Sequence, residues 1–342
     1  MTMKVARYYG AGDIRIEKMP VPEPGPGEVV VRIRASGICG SDVMHWYREG
    51  RGPVVLGHEI GGEIAATGAG VTAYKTGDRV TASHHVPCNT CRYCRSGHHT
   101  VCDTLRRTNF YPGGFAEYVL LPQINVDRGV YLLPDGMSFE DATFIEPLAC
   151  VYRGQRIAGT RIGQSVLVIG SGIAGLLHVQ LAKALGASPV VASDINEFRL
   201  DAARKFGADN VIHAGDDLPA VFRDLNNGRP ADIVILTAGA EGAISQAFQS
   251  VDRGGTILFF APAGKGVSVP LPVNELFWRN EITLTSSYAA NYEEHMISME
   301  LIRMGRVNVR DIITHRLPLD ETAGGFGLVE RAGESLKVII TP

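Results

Sequence analysis

The stretch SVLVIGSGIAGLLHVQLAKALGASPVVASD, residues 165–194, decides the fold of this chain. A β-branched run leads into Gly170-x-Gly172-x-x-Gly175, a helical pattern of apolar residues follows, and a second β-branched run ends on Asp194. The first glycine permits a tight turn, the second lets the backbone approach a pyrophosphate, and the third lets the helix pack closely against the strand. A lone glycine pattern can be a flexible turn, but this complete order predicts a strand–helix–strand unit that binds a dinucleotide.

The predicted nucleotide site combines the start of the helix with the end of the second strand. Unpaired N–H groups at a helix start favour phosphate charge. Asp194 is placed to accept hydrogen bonds from the adenosine ribose and to repel a 2′-phosphate. No arginine directly follows Asp194, and Arg199 comes a helical turn later, so the pattern predicts NAD rather than NADP. The predicted cofactor-binding residues are Gly170, Gly172, Ile173, Ala174, Gly175, Asp194 and Arg199.

The composition is that of an ordinary globular protein. The chain has 342 residues, of which 45% are hydrophobic and 20% are charged, and this length suits about two domains. A net charge of −3 gives no basis for a nucleic-acid or membrane-surface partner. No apolar run approaches the ~18 residues of a membrane span, and no signal-peptide pattern is visible, so a cytoplasmic location is expected.

The pattern of predicted elements changes along the chain. Short β-branched runs separated by glycine-rich turns come first and favour a compact, barrel-like β domain. These runs lie at 28–34, 60–66, 79–82 and 114–121. Beyond residue 164, six strands alternate with helices, which predicts an α/β domain with a doubly wound parallel sheet. Residues 290–342 are expected to return to the first domain.

Four of the six cysteines are clustered at Cys88, Cys91, Cys94 and Cys102. Disulfide frameworks are typical of small secreted domains, whereas four thiolates at this spacing can form a tetrahedral zinc site. An iron–sulfur cluster also uses four cysteines, but this loop is polar and basic and offers little apolar cover. Because protein fills all four positions, the spacing predicts a structural zinc.

A second group of metal-ligand residue types is scattered through the first domain. Cys39 follows a predicted strand, His58 and Glu59 are adjacent in a glycine-rich segment, and Glu146 precedes a proline at a predicted helix start. Taken singly, each has an ordinary interpretation as a small core residue, a loop histidine or a helix-start acid. The case for a metal site depends on their occurring together.

The chain resembles the zinc-dependent medium-chain dehydrogenases, and within them the polyol branch typified by sorbitol and idonate dehydrogenases. The resemblance covers nearly the whole chain. Besides the cysteine lobe and the dinucleotide motif, it is carried by GPGEVVVRIRASGICGSD (25–42), VLGHEIGGEI (55–64) and GGFAEYVLLP (113–122). It implies a GroES-like β-rich catalytic domain, residues 1–150 completed by 288–342. It also implies a Rossmann NAD-binding domain, residues 151–287, with a catalytic zinc between the two.

The resemblance implies a catalytic zinc held by Cys39, His58 and Glu59, with Glu146 at an alternative ligand position. Such a set leaves one coordination position open for water or a substrate oxygen. Adjacent residues on an extended strand point to opposite faces. A local bend is therefore required if His58 and Glu59 are to bind one metal.

A proton relay is also implied, and here the chain departs from the family pattern. Ser41 matches the relay hydroxyl. Many relatives have a histidine five residues after the ligand cysteine, where this chain has Met44 and places His45 one residue later. Ser41, His45 and Glu146 are the implied catalytic residues.

The implied activity is reversible NAD-linked oxidation of a secondary alcohol on a polyol, cyclitol or sugar-like substrate. Zinc as a Lewis acid would lower the pKa of a coordinated alcohol, and the Rossmann domain would hold the nicotinamide that takes the hydride. L-threonine or simple alcohol oxidation is an alternative within the family, and a catalytically silent homologue is the non-enzyme alternative. Relatives are dimers or tetramers, so a homodimer or homotetramer is implied.

Overall fold

A computed structural model describes residues 1–342, and the chain divides into two compact units. The first unit comprises Met1–Ala149, Ala289–Arg303 and Val309–Pro342, and the second comprises Cys150–Tyr288 and Met304–Asn308. None of the helices combines the length and the apolar character that crossing a bilayer requires.

Sixteen strands and thirteen α-helices make up the two units. The strands are β1 (Thr2–Gly10), β2 (Asp13–Pro20), β3 (Val29–Gly37), β4 (Val54–Val55), β5 (Glu59–Thr67), β6 (Arg79–Ala82), β7 (Tyr118–Leu121), β8 (Val130–Leu132), β9 (Val166–Ile169), β10 (Val190–Asp194), β11 (Asn210–His213), β12 (Ala231–Leu236), β13 (Val251–Phe259), β14 (Thr283–Ser286), β15 (Ile313–Pro318) and β16 (Lys337–Thr341). The helices are α1 (His45–Arg48), α2 (Arg92–Arg95), α3 (Asp103–Arg107), α4 (Gln123–Gly129), α5 (Phe139–Ala142), α6 (Ile145–Ala158), α7 (Ile173–Ala184), α8 (Glu197–Lys205), α9 (Leu218–Leu225), α10 (Glu241–Ser250), α11 (Val273–Leu276), α12 (Tyr292–Arg303) and α13 (Thr322–Arg331).

A seven-stranded sheet forms the centre of the first unit, in the order β15-β16-β3-β5-β6-β8, with β7 also paired to β3. Strands β3 and β5 are antiparallel, and Gly37 at the end of β3 lies opposite Glu59 at the start of β5. This register brings the loop after β3 beside the loop before β5. The final strand, β16, pairs with the same end of β3 through Ile339 and Gly37.

One predicted strand is shorter in the structure than in the sequence interpretation. Residues 114–121 contain β7 only from Tyr118 onward. Gly114 and Phe115 instead donate backbone hydrogen bonds of 2.9 Å to Gly57 and Leu56, in the loop before β5. This pairing fixes the loop that carries His58.

The second unit is built on a six-stranded parallel sheet in the order β11-β10-β9-β12-β13-β14. All four residues of the central strand β9 are buried, as expected for a parallel strand covered on both faces. The chain runs outward from β9 in both directions, so the order reverses between β9 and β12. Open α/β sheets bind ligands at such a reversal, beyond the carboxyl ends of the strands. The α/β fold with a doubly wound parallel sheet is confirmed.

Candidate metal centres and nucleotide site

The four cysteines of the lobe at 88–102 converge on one point, with their sulfur atoms all within 4.8 Å of one another. Sγ–Sγ distances are 3.6 Å for Cys91–Cys94, 3.6 Å for Cys88–Cys102 and 4.0 Å for Cys88–Cys94. Sulfurs at ~2.3 Å from one tetrahedral zinc are about 3.8 Å apart, whereas a disulfide needs ~2.05 Å. All six cysteines of the chain are free thiols. The donor set therefore fits zinc and leaves no open coordination position.

Hydrogen bonds from Thr90 and Cys91 favour thiolate character at Cys88. The pKa of Cys88 is lowered to about 5, first by a hydrogen bond from the Thr90 side chain and then by backbone N–H groups of Thr90 and Cys91. The lobe has little apolar core of its own, because Leu105 is the only buried residue beside Cys94 and Cys102 in this cluster, with Ala289 partly buried against it. A cluster this small depends on its metal for stability.

The second metal centre is assembled where β3 ends and β5 begins. Ligand atoms of Cys39, His58 and Glu59 lie within 4.8 Å of one another. Gly57, directly before His58, has φ +94° and packs against the backbone of Gly114, and strand β5 begins only at Glu59. Glu59 is buried, with 2% of its side chain exposed, and His58 is 12% exposed.

Negative charge surrounds His58. Burial alone would lower the pKa of His58, yet it lies well above 6.5 because the Asp42 carboxylate and a hydrogen bond with Cys39 raise it. Glu146 raises it further and therefore lies close enough to act electrostatically. Asp42 is fully buried, and its Oδ1 lies 3.7 Å from His58 Nδ1. A field that favours positive charge on an imidazole also favours a bound divalent cation, so the donor set and the charges fit zinc.

The two candidate carboxylate ligands have different surroundings. Glu59 forms a buried ion pair with Lys337 of β16, whose side chain is 1% exposed. A Cβ at Gly37 would overlap both of these side chains, so a larger residue at the end of β3 would have to displace the ion pair. Glu146 lies in the first turn of α6. The charge of Glu59 is thus already balanced by a buried lysine.

The predicted relay residues lie in the loop and short helix after Cys39. The Ser41 hydroxyl lies 3.5 Å from a guanidinium nitrogen of Arg48. His45 Nε2 is 2.5 Å from Glu330 Oε1, and both side chains are nearly half exposed. Ser41 and His45 therefore have separate partners in this structure, and the relay role of His45 stays a prediction.

The glycine motif of the second unit has the shape that the sequence predicts. Gly170 has φ +99°, and a Cβ at Gly175 would overlap the Gly170 carbonyl. No protein atom lies within 3.5 Å of a Cβ built at Gly172, where the nearest atom is Arg199 Nη1 at 3.7 Å. Helix α7 begins after Gly172 with no side-chain cap. The first-turn N–H groups of Ile173 and Ala174 are therefore left for a phosphate.

Asp194 ends β10 and supports the glycine loop. Its carboxylate accepts backbone hydrogen bonds from Ser171 at 2.7 Å and from Asn196 at 3.0 Å. Each carboxylate oxygen has a second lone pair that can accept a ribose hydroxyl. The Nε of Arg199 is buried without a hydrogen-bond partner. Arg199, one of the predicted cofactor-binding residues, therefore lies beside Gly172 of the glycine motif.

Known proteins match the chain along nearly its whole length. Residues 25–135 match the alcohol dehydrogenase GroES-like domain family, and residues 174–303 match the zinc-binding dehydrogenase family. Sorbitol dehydrogenase from Gallus gallus is 34% identical over 97% of this chain and 94% of that protein. The chain belongs to the zinc-dependent medium-chain dehydrogenase family. L-threonine 3-dehydrogenase from Rhizobium etli is also 34% identical, over 95% of this chain and 94% of that protein.

A solved structure shows the same fold. It is a putative zinc-binding dehydrogenase from Sinorhizobium meliloti bound to NADP, with a TM-score of 0.90 and 29% identity, and each chain covers 100% of the other. The 342-residue chain is accordingly an enzyme that uses zinc and a nicotinamide dinucleotide. Its two metal-binding clusters and its glycine motif fit these cofactors.

Several residues of the dehydrogenase site were not predicted from the sequence. His84 packs its ring 4.6 Å from that of His58, centroid to centroid, and 3.8 Å from that of His85. Burial lowers the pKa of His84 well below its usual value. Asp42 lies beside the candidate ligand His58, and Lys337 pairs with the candidate ligand Glu59. The sequence signal for Asp42 was its place in the motif GICGSD, but Lys337 and His84 lie in segments whose sequence gave no such signal.

Proposed function

We propose that this dehydrogenase catalyses the reversible NAD-linked oxidation of a secondary alcohol on a polyol, cyclitol or sugar-like substrate to the ketone. The observation that carries the proposal is the donor set Cys39, His58 and a carboxylate, which leaves an open coordination position. A carboxylate in place of a second thiolate makes a harder Lewis acid, which suits hydroxyl-rich substrates. The similarity to sorbitol dehydrogenase supports the same substrate class.

The chain's own residues have distinct roles in this proposal. Cys39 and His58 bind the metal, and Asp42 holds the imidazole of His58 through their 3.7 Å contact. When bound, zinc supplies Lewis acidity that lowers the pKa of a coordinated hydroxyl. The Ser41 hydroxyl passes the substrate's hydroxyl proton to solvent. A bound nicotinamide would supply the hydride acceptor, so that the overall reaction of alcohol and NAD⁺ would give ketone, NADH and one proton.

We assign Glu59 as the third ligand and Glu146 as a nearby carboxylate that can exchange with it or with water. Glu59 supplies a ligand atom within 4.8 Å of those of Cys39 and His58. Lys337 holds one oxygen of Glu59, and the other oxygen is the one assigned to the metal. The metal would then have two negatively charged ligands, Cys39 and Glu59, and Lys337 balances the charge of Glu59. No second thiolate is needed.

NAD is the proposed cofactor, with Asp194 as the residue that disfavours NADP. The Asp194 carboxylate lies directly beside the glycine loop through its bond to Ser171. A 2′-phosphate there would meet a like charge at close range. The Sinorhizobium meliloti relative is bound to NADP, so the preference requires measurement. The proposal expects a higher kcat/KM with NAD than with NADP. Asp194→Ser should reduce the ratio of these two kcat/KM values. A wild-type preference for NADP would contradict it.

A cytoplasmic location and a homodimeric or homotetrameric assembly complete the proposal. Six free cysteines are typical of a reducing compartment. The assembly rests on the family resemblance. Cell fractionation tests the location, and light scattering on the purified protein tests the assembly, where a monomer at micromolar concentration would contradict it.

The function is tested by following NADH formation with a panel of sugars, polyols, cyclitols, simple alcohols and L-threonine. The similarity to L-threonine 3-dehydrogenase makes that amino acid the main competing substrate. The proposal expects the highest kcat/KM with a polyhydroxylated secondary alcohol. A highest value with L-threonine would replace the proposed substrate class, and no NADH with any member would favour a catalytically silent homologue.

A further inference from the structure

The family's relay histidine has no counterpart at its usual place in this chain. Met44 stands there, and its thioether neither donates nor readily accepts a proton. The neighbouring His45 is held by Glu330 at 2.5 Å, and both side chains are nearly half exposed. His45 thus has Glu330 as its partner, and the Ser41 hydroxyl lies beside Arg48 instead.

Arg48 contacts the segment that carries Ser41 at three points. Its Nε donates a hydrogen bond of 2.9 Å to the Ser41 carbonyl oxygen. Its Nη2 lies 3.5 Å from Ser41 Oγ and 3.3 Å from Asp42 Oδ1. The Arg48 side chain is 13% exposed, although it carries a full charge.

These contacts use the shape of the guanidinium group. Its planar fork presents several N–H donors in fixed directions, whereas a lysine ammonium is a single, flexible point. One nitrogen can therefore hold the Ser41 backbone while another meets the hydroxyl and the buried Asp42 carboxylate. Arg48 is the last residue of helix α1, and its backbone N–H donates a hydrogen bond of 3.1 Å to the Met44 carbonyl oxygen. The helix thereby fixes the direction from which the Arg48 side chain approaches Ser41.

We propose that Arg48 is the positioning residue for the Ser41 hydroxyl, in a site that has Met44 at the usual position of the relay histidine. The inference rests on the proposed function, because it assigns Ser41 a role in the oxidation. Arg48 does not itself accept the proton, since a guanidinium stays protonated at all working pH values. It holds Ser41 in one orientation, and the proton then leaves Ser41 for solvent.

A double-mutant cycle on the zinc-loaded enzyme tests this role. The variants are Arg48→Met, Arg48→Lys, Ser41→Ala and each double variant, read by kcat, by KM for NAD and by zinc per chain. Arg51→Met is the matched control, because Arg51 is an exposed arginine just after helix α1 whose guanidinium lies 4.1 Å from the centre of the Tyr47 ring. We expect Arg48→Met to lower kcat by about 100-fold, because a Ser41 hydroxyl without a fixed orientation would lose its contribution to proton transfer. Arg48→Lys should lower it less, with zinc and KM for NAD unchanged.

The cycle separates a role through Ser41 from general support of the fold. If Arg48 acts through the hydroxyl, adding Arg48→Met to Ser41→Ala lowers kcat by no more than about twofold further. If the two losses multiply, or if His45→Ala lowers kcat more than Arg48→Met does, the positioning role is wrong. Should Arg48→Met fail to fold, the Arg48→Lys cycle decides by the same criterion. A wild-type enzyme that oxidises no substrate overturns the proposed function and this inference with it. An active wild type with multiplying losses overturns this inference alone.

Discussion

The two metal centres of the first unit differ in how the chain assembles them. The lobe at 88–102 draws four cysteines from one short segment, and its sulfurs leave no coordination position open. The other centre draws Cys39, His58 and Glu59 from two segments that meet only because β3 and β5 pair. It contains mixed ligand types and is supported by two buried charged residues, Asp42 and Lys337. A closed site made from one segment can only stabilise, whereas an open site assembled by the sheet can take part in chemistry.

The largest expected effect is the loss of turnover when the open centre loses a ligand. Cys39→Ser and His58→Asn should each lower kcat by about 10³-fold or more, because the Lewis acid is lost. NAD binding should persist, since the glycine motif belongs to the other unit. Steady-state rates and NAD titration by calorimetry check both expectations. Turnover near the wild-type rate without the zinc of this site would show that its metal is not catalytic.

The next largest effect is expected at the two candidate carboxylate ligands of the open centre, Glu59 and Glu146. Glu59→Gln should remove zinc from this centre and lower kcat, whereas Glu146→Gln should retain the metal. Glu59→Gln also leaves the buried Lys337 unpaired, a change that costs about 3–5 kcal/mol in buried ion pairs. The variant Glu59→Gln/Lys337→Met removes both charges and is the control for that cost.

Bound zinc and kcat are measured together for these three variants. Loss of zinc in Glu146→Gln with retention in Glu59→Gln would reverse the ligand assignment. If neither substitution affects zinc or rate, the polyol-type metal site is the wrong description of this chain.

The closed lobe should show the opposite pattern, with loss of stability and little loss of rate. Cys91→Ser removes one of four sulfurs from a lobe that has almost no other core. We expect a melting temperature several degrees lower, since each kcal/mol lost corresponds to about 2–4 °C in chains of 150–250 residues. The kcat of the folded fraction should stay within about twofold of wild type. An unchanged melting temperature, or iron instead of zinc by elemental analysis, would contradict the structural-zinc assignment.

The smallest effect is expected far from either metal, at Arg199. Its guanidinium lies over Gly172, so Arg199→Ala should raise KM for NAD about tenfold, as for loss of one charged hydrogen bond. The kcat should not change. Arg204→Ala is the control, because Arg204 lies on the same helix and pairs with the exposed Asp201. Equal effects of the two substitutions would remove Arg199 from the nucleotide site.

The parts of this molecule that the sequence predicted are those encoded in short segments. The cysteine lobe and the Gly170–Gly175 motif could be predicted because residues close together in the chain determine their geometry. A turn or a tetrahedral site of this kind needs only neighbouring residues. The partners of the open centre are different. Lys337 is distant from Glu59 in the chain. Arg48 contacts Asp42 because the orientation of helix α1 directs its side chain toward that residue. These contacts depend on strand register and helix orientation, which no local pattern specifies.

The central claim is that the open centre performs the chemistry and the closed lobe holds the fold. It is tested most directly by removing zinc gradually with a chelator while zinc per chain, NADH formation and melting temperature are followed on the same samples. Turnover should fall to zero as zinc falls from two per chain to one, while the melting temperature changes little. The melting temperature should fall only with loss of the second zinc. Turnover that persists at one zinc per chain, or a melting temperature that falls with the first zinc, would contradict the account.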